Sequence, residues 1–159
     1  RMWEEIGGVS PAALRAHAPT YRRWLLPRLT SGRLWGYVAG VRGGEIGGSG
    51  CLWLREAQPR PGEVARFEPY ILSMYTVPAC RGRGVATAIV RRFLAECRAA
   101  TYARVVLHGS VFGRPVYGRL GFERTWEMRT FLDPARARRR REERAHPGAT
   151  TRRSTHESR

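Results

Sequence analysis

Residues 77–90, VPACRGRGVATAIV, set Arg81, Gly82, Arg83 and Gly84 directly before a segment of helical apolar periodicity. Glycines at these positions let backbone amides approach a ligand closely, and the arginines add positive charge at the same place. A helix starting at Val85 points its unpaired N–H groups back at this loop, and such an end binds anions. Phosphate is the anion that this arrangement suits. The same residues also describe an ordinary strand-to-helix turn with solvated arginines, and the stretch alone does not separate the two. Two other phosphate loops are excluded. Walker A needs a lysine, which the chain lacks entirely; the Rossmann fingerprint needs a third glycine where Thr87 stands, and Arg104 to Gly109 lacks the acidic residue that holds a ribose.

Such a loop has to be held by a strand before it and a helix after it. PYILSMYTV, residues 69–77, is a near-continuous apolar run that predicts a central strand buried on both faces and ended by Pro78. Val85, Ile89, Phe93 and Cys97, widened by Val90 and Leu94, form the stripe of a helix of about four turns, with Arg91, Arg92 and Arg98 facing away. Upstream, Ser10 and Pro11 are N-cap and N1 residues and Gly32 is a stop; Pro19 is expected to split the segment between them. LWGYVAGV and IGGSGCLWL, joined through Gly43-Gly44, predict a hairpin. After a polar loop at 58–68 and the helix, ARVVLHGS predicts another strand, GRPVYGRLG a short helix ended by Gly121, and FERTWEMRTFL a last strand. The pattern is α/β, with one domain over residues 1–132 and an Arg-rich tail at 133–159 expected to be disordered.

The net charge is +16, and every one of the 29 basic residues is arginine. That balance favours polyanions such as nucleic acid, acidic membrane surfaces or a phosphate-rich cofactor, while lysine-dependent chemistry is excluded. The absence of lysine and asparagine reads most simply as a GC-rich coding bias. Cys51, Cys80 and Cys97 have no metal or redox spacing and suit a reducing cytoplasm. No apolar run reaches membrane-spanning length, so no membrane partner is expected. No Phe or Tyr follows Phe131, so the tail offers no such stacking partners for bases and nucleic acid is not the expected partner.

Arg81-x-x-Gly84-x-Ala86, the strand ILSMYTVP before it, and PVYGRLGFE with Tyr117 and Gly121-Phe122 after it together resemble the GNAT family of N-acetyltransferases over about Tyr70 to Arg129. The resemblance implies a mixed, mostly antiparallel sheet flanked by helices, with a splayed central strand. It implies acetyl-CoA as co-substrate, its pyrophosphate on the amides of Arg81, Gly82, Arg83, Gly84, Val85, Ala86 and Thr87, and its pantetheine arm on backbone groups near Tyr75, Thr76 and Val77. No metal is implied. Chemistry would be direct attack of a primary amine on the thioester, the oxyanion held by a strand amide. Tyr117 matches the tyrosine that protonates the departing thiolate, and Gly113 a small position beside the cofactor. Ser110 stands where many members have a CoA-contacting asparagine; its hydroxyl instead suits capping of the following helix.

The general base is the least constrained role. Glu68, entering the central strand, is the first candidate, and Ser73 and Tyr75 share a strand face from which either positions a water. Glu56, Glu127 and His108 are further candidates. Cys80 has no evident base beside it, so it is not expected to be a nucleophile. The acceptor is expected to be a small amine, carrying its own anionic group, or a peptide N-terminus, because a basic cleft repels protonated amines. Only RMWEEIGG precedes the first helix, so the family's first strand is expected to be missing through N-terminal truncation, leaving the strand at 34–41 with an open edge suited to homodimerisation. Two other readings keep the fold: a catalytically weak CoA-binding or sensing module, and a CoA-binding domain with a nucleic-acid-binding tail.

Overall fold

The computed structural model describes residues 2–5, 8–41, 43–58, 61, 66–136 and 138. Most of the expected disordered tail, and most of the polar loop at 58–68, lie outside the described residues. The chain divides into two compact units, Arg1–Phe122 and Glu123–Arg159.

The first unit runs α1 (Met2–Glu5), α2 (Pro11–Thr30), β1 (Leu34–Gly40), β2 (Ile46–Glu56), β3 (Phe67–Thr76), α3 (Val85–Ala99), β4 (Val106–Leu107) and α4 (Arg114–Gly118). Ser10 caps α2 by accepting from the Ala13 amide at 3.2 Å, Pro11 follows at the first helical position, and Gly32 leaves the helix at φ +70°. The expected break at Pro19 does not occur: α2 is one helix containing both Pro19 and Pro27. Residues 15–22 are largely exposed, so water can satisfy the backbone groups that a proline leaves unpaired.

The sheet order is β1-β2-β3-β4, antiparallel except for the β3/β4 pair, so β3 is the interior strand that its sequence predicts. The hairpin closes through Gly43 and Gly44 at φ +92° and +81°, with the Val41 amide bonded to the Glu45 carbonyl. One sheet face is buried under α3. Leu52, Leu54 and Ile71 meet Ile89, Val90, Phe93 and Cys97 there, the α3 stripe read from its four-residue spacing. Tyr37 of β1 completes this layer, its ring 5.2 Å from that of Phe93. On the other face Trp24 of α2 meets Trp53 of β2 edge-on at 5.5 Å. This second face is only partly covered, so β3 is not buried on both sides as its apolar run suggests.

Two expected strands differ. ARVVLHGS contributes only Val106–Leu107. FERTWEMRTFL forms no strand, and Trp126, Met128 and Leu132 are all more than nine-tenths exposed. Alternation marks a segment able to pair; it forms a ladder only where a neighbouring edge supplies the hydrogen bonds.

Candidate functional site

The site is built around an irregularity in β3. Ser49 pairs with Tyr75 and Cys51 with Leu72, so β3 carries one residue more than β2 over this span. That is a bulge at Ser73–Met74, where Ser73 has φ +53°. A left-handed non-glycine residue costs about 1–2 kcal/mol, and such strain concentrates where a structure positions chemistry. The extra residue reverses the facing of everything after it. Before the bulge Pro69 and Ile71 are buried; after it Met74 takes the α3 side, where a Cβ on Gly50 would collide with the Met74 sulfur and touch Ile89. Ser73, Tyr75 and Val77 are thereby turned to the opposite face.

The bulge also ends the parallel pairing. Among the described residues β3 meets β4 only at Tyr70–Val106 and Ile71–Leu107, after which the strands part and the β3 edge has no strand partner on that side. On the side of this opening the Thr76 carbonyl accepts from Arg81 Nε at 3.1 Å, whereas the Val77 amide points the other way and bonds the Gly47 carbonyl of β2 at 2.9 Å.

The loop behaves as its composition predicts. Gly82 and Gly84 have φ +72° and +80°, and a Cβ on either would meet nothing within 4 Å, so the requirement for glycine is conformational. Gly84 is the N-cap of α3 and supplies no side-chain acceptor, and the first helical bond runs from Ala88 to Gly84. The amides of Val85, Ala86 and Thr87 therefore have no acceptor within the helix. Uncapped donors, open space and the positive end of a 15-residue helix fit a phosphate-bearing group.

Arg81 is placed differently from the expectation of a free loop arginine. Its guanidinium pairs with Glu5 of α1, a carboxylate 76 positions earlier that also accepts from Tyr75 Oη at 2.8 Å. The hydrogen bonds of Arg81 and then Tyr75 hold the Glu5 carboxyl below its usual range. Glu5 thus links the loop to the strand, and no local sequence signal marks it.

Tyr117 stands on α4 with its ring against the backbone of Gly113. A Cβ on Gly113 would overlap the Tyr117 ring at 2.6 Å, so the small residue is required by close approach. Phe122 packs edge-on at 5.9 Å, and burial raises the Tyr117 pKa, keeping the phenol protonated. The Ser110 hydroxyl accepts from the Gly113 amide at 3.1 Å, so it does organise the turn into α4.

The structure does not bring Glu68 to this site. Its carboxylate lies between Arg55 at 2.6 Å and Arg104 at 2.8 Å. Burial would raise its pKa, but the hydrogen bonds and charges of the two arginines outweigh that and hold it below the usual range. This is a fastening between neighbouring chain segments, and Tyr75 is the base candidate that faces the cleft. Glu56 pairs with Arg33, Glu127 with Arg129 in the second unit, and His108 Nδ1 with the Tyr70 hydroxyl.

Under α2, on the face opposite α3, lies a cavity of about 530 Å³. Ser73, Tyr75 and Val77 form one wall, and α2 forms the other through Leu14, His17 and Tyr21. These helical residues recur with the spacing of one helix face, a signal obscured by expecting Pro19 to divide the helix. Among the described residues no helix is long and apolar enough to cross a membrane.

Comparison with known proteins agrees with this geometry. The family model of the acetyltransferase (GNAT) domain matches residues 55–132. The chain is similar to a GCN5-related N-acetyltransferase from Ralstonia eutropha, at 33% identity and TM-score 0.69 over 80% of this chain and 84% of that one. It is also similar to a predicted acetyltransferase from Clostridium acetobutylicum, solved with acetyl-CoA, at 26% identity and TM-score 0.68 over 78% and 79% of the two chains. An aminoglycoside 6'-N-acetyltransferase from Acinetobacter haemolyticus shares the fold at 15% identity and TM-score 0.58, over 72% and 80%. No curated protein matches the chain.

Proposed function

Because the chain belongs to the GNAT family of acetyltransferases, whose activity is acyl transfer from acetyl-CoA, we propose that it acetylates a primary amine by direct attack. The observation that carries this reading is the bulged strand running into an uncapped, glycine-turned helix end. Acetyl-CoA supplies an activated acetyl thioester. The amides from Arg81 to Thr87 are the proposed holders of its pyrophosphate, with Arg83 adding charge while the Arg81 guanidinium keeps its pair with Glu5. Of the backbone groups near Tyr75, Thr76 and Val77, those of Thr76 are the proposed partners of the pantetheine arm and withdraw charge from the reacting carbonyl, the Val77 amide being held by Gly47 and its carbonyl by Cys80. Ser110 and Gly113 shape the turn that sets Tyr117 in place.

Tyr117 holds a proton on Oη for the departing sulfur, and its raised pKa keeps that proton available through neutral pH. Tyr75, polarised by its hydrogen bond to Glu5, positions the incoming amine or a water that takes its proton. No side chain need form a covalent intermediate, so Cys80 has no part. Among the described residues the outer edge of β1 has no strand partner, and it is the surface on which a homodimer would form.

Incubation with acetyl-CoA and a set of primary amines and peptides is expected to release CoA thiol in step with formation of the N-acetyl product. Tertiary amines of the same frame are expected to release none. Thiol release at the same rate with and without amine would contradict the proposal.

A further inference from the structure

The cavity under α2 is placed to receive the acceptor, because Ser73, Tyr75 and Val77 belong to the strand segment whose edge is the proposed cofactor site. Its chemistry is more selective than a generic amine site. Its walls are mainly apolar, with Trp3, Leu14, Tyr21 and Ile46 among them; His17, Ser49, Ser73 and Tyr75 supply polar atoms, and no aspartate or glutamate lines it among the described residues. Glu5 reaches Tyr75 but is committed to Arg81, so it offers no free counter-charge to a second ammonium. Hydroxyls and an imidazole can accept a hydrogen bond here, but with no carboxylate in the lining each further ammonium of a polyamine or aminosugar would lose water without gaining a counter-charge. An apolar body loses nothing of the kind and gains by burial.

We infer that this cavity binds the body of the acceptor, and that the acceptor is a small primary amine on an aryl or branched-alkyl frame. The inference rests on the acetyltransferase reading above and narrows its substrate. The walls also serve the chemistry: apolar surroundings disfavour the ammonium form, so the amine arrives closer to its neutral, nucleophilic state. The volume of about 530 Å³ lies within the range of small-molecule sites and is ample for one ring system. The pocket thus selects for an uncharged body, whereas overall charge alone suggested an acceptor bearing an anionic group.

The test compares 2-phenylethylamine with spermidine and kanamycin, by calorimetric titration into the full chain with saturating CoA and, separately, by thiol release with acetyl-CoA. Wild-type protein is expected to bind 2-phenylethylamine at least about tenfold more tightly than either polycation. Ile46→Asp puts a carboxylate on the rim at a position 58% exposed, where the fold tolerates it. This variant is expected to shrink that preference about tenfold or reverse it, with the KM for acetyl-CoA unchanged. Tighter or equal binding of a polycation, an unmoved ratio in Ile46→Asp, or no binding of 2-phenylethylamine would each overturn the inference. Selective binding without thiol release would instead fail the transfer reading and leave the apolar site standing.

Discussion

Gly84→Glu is expected to weaken acetyl-CoA binding by at least about a hundredfold while the chain remains folded. Three effects act together. Gly84 has φ +80°, which a side-chain-bearing residue adopts at a cost of about 1–2 kcal/mol, so the turn relaxes and the amides of Val85 to Thr87 lose their common aim. The new carboxylate also sits at the positive end of α3 and competes for the donors that the pyrophosphate needs. It repels that pyrophosphate as well. Folding survives because a Cβ at Gly84 meets nothing within 4 Å, and the burial of Phe93 and Val90 further along α3 is untouched. Gly84→Asn is the informative control, since asparagine tolerates left-handed backbone and brings no charge; it should retain most of the affinity. Calorimetric titration beside a thermal melt reads both quantities. An unchanged affinity in a folded Gly84→Glu protein would place the cofactor elsewhere.

Tyr117→Phe is expected to lower kcat by about a hundredfold with little change in acetyl-CoA affinity. The substitution keeps the ring that packs against Gly113 and Phe122 and removes only the hydroxyl, so a loss confined to kcat reports proton donation. The pH profile gives an independent sign. Burial raises the phenol pKa, so wild-type activity should persist on the alkaline side past the point where a free phenol ionises, then fall as the proton is lost. The phenylalanine variant should lack that limb. Wild-type kcat in Tyr117→Phe would remove the residue from the chemistry and leave it a packing role.

The parts of the site that depend on short stretches of chain were legible beforehand. Pro78, the glycines at 82 and 84 and the spacing of Val85, Ile89, Phe93 and Cys97 are local signals, and each describes the element that forms. The hairpin through Gly43 and Gly44 is local in the same way. What depends on distant partners was not legible. The bulge at Ser73–Met74 exists only in the register of β3 on β2, so the strand period read from sequence faces Met74 and Tyr75 correctly relative to each other but not relative to Ile71. Glu68 looked available because Arg55 and Arg104 reach it from other segments. Glu5 looked inert for the converse reason, its partners lying 70 and 76 positions away. α2 continued through Pro19 because its exposed backbone can turn to water, a property of where the helix lies. The segment after Phe122 shows the reverse: alternation suited to a strand, with no strand formed.

Amide hydrogen exchange with and without acetyl-CoA tests the central claim most directly, because that claim is a statement about which backbone groups hold the cofactor. Protection is predicted to appear over residues 74–88, strongest from Arg81 to Thr87, where the helix end lacks internal acceptors. Binding without protection of that loop, or with protection confined to other segments, would contradict the assignment of the cofactor to the β3–α3 turn.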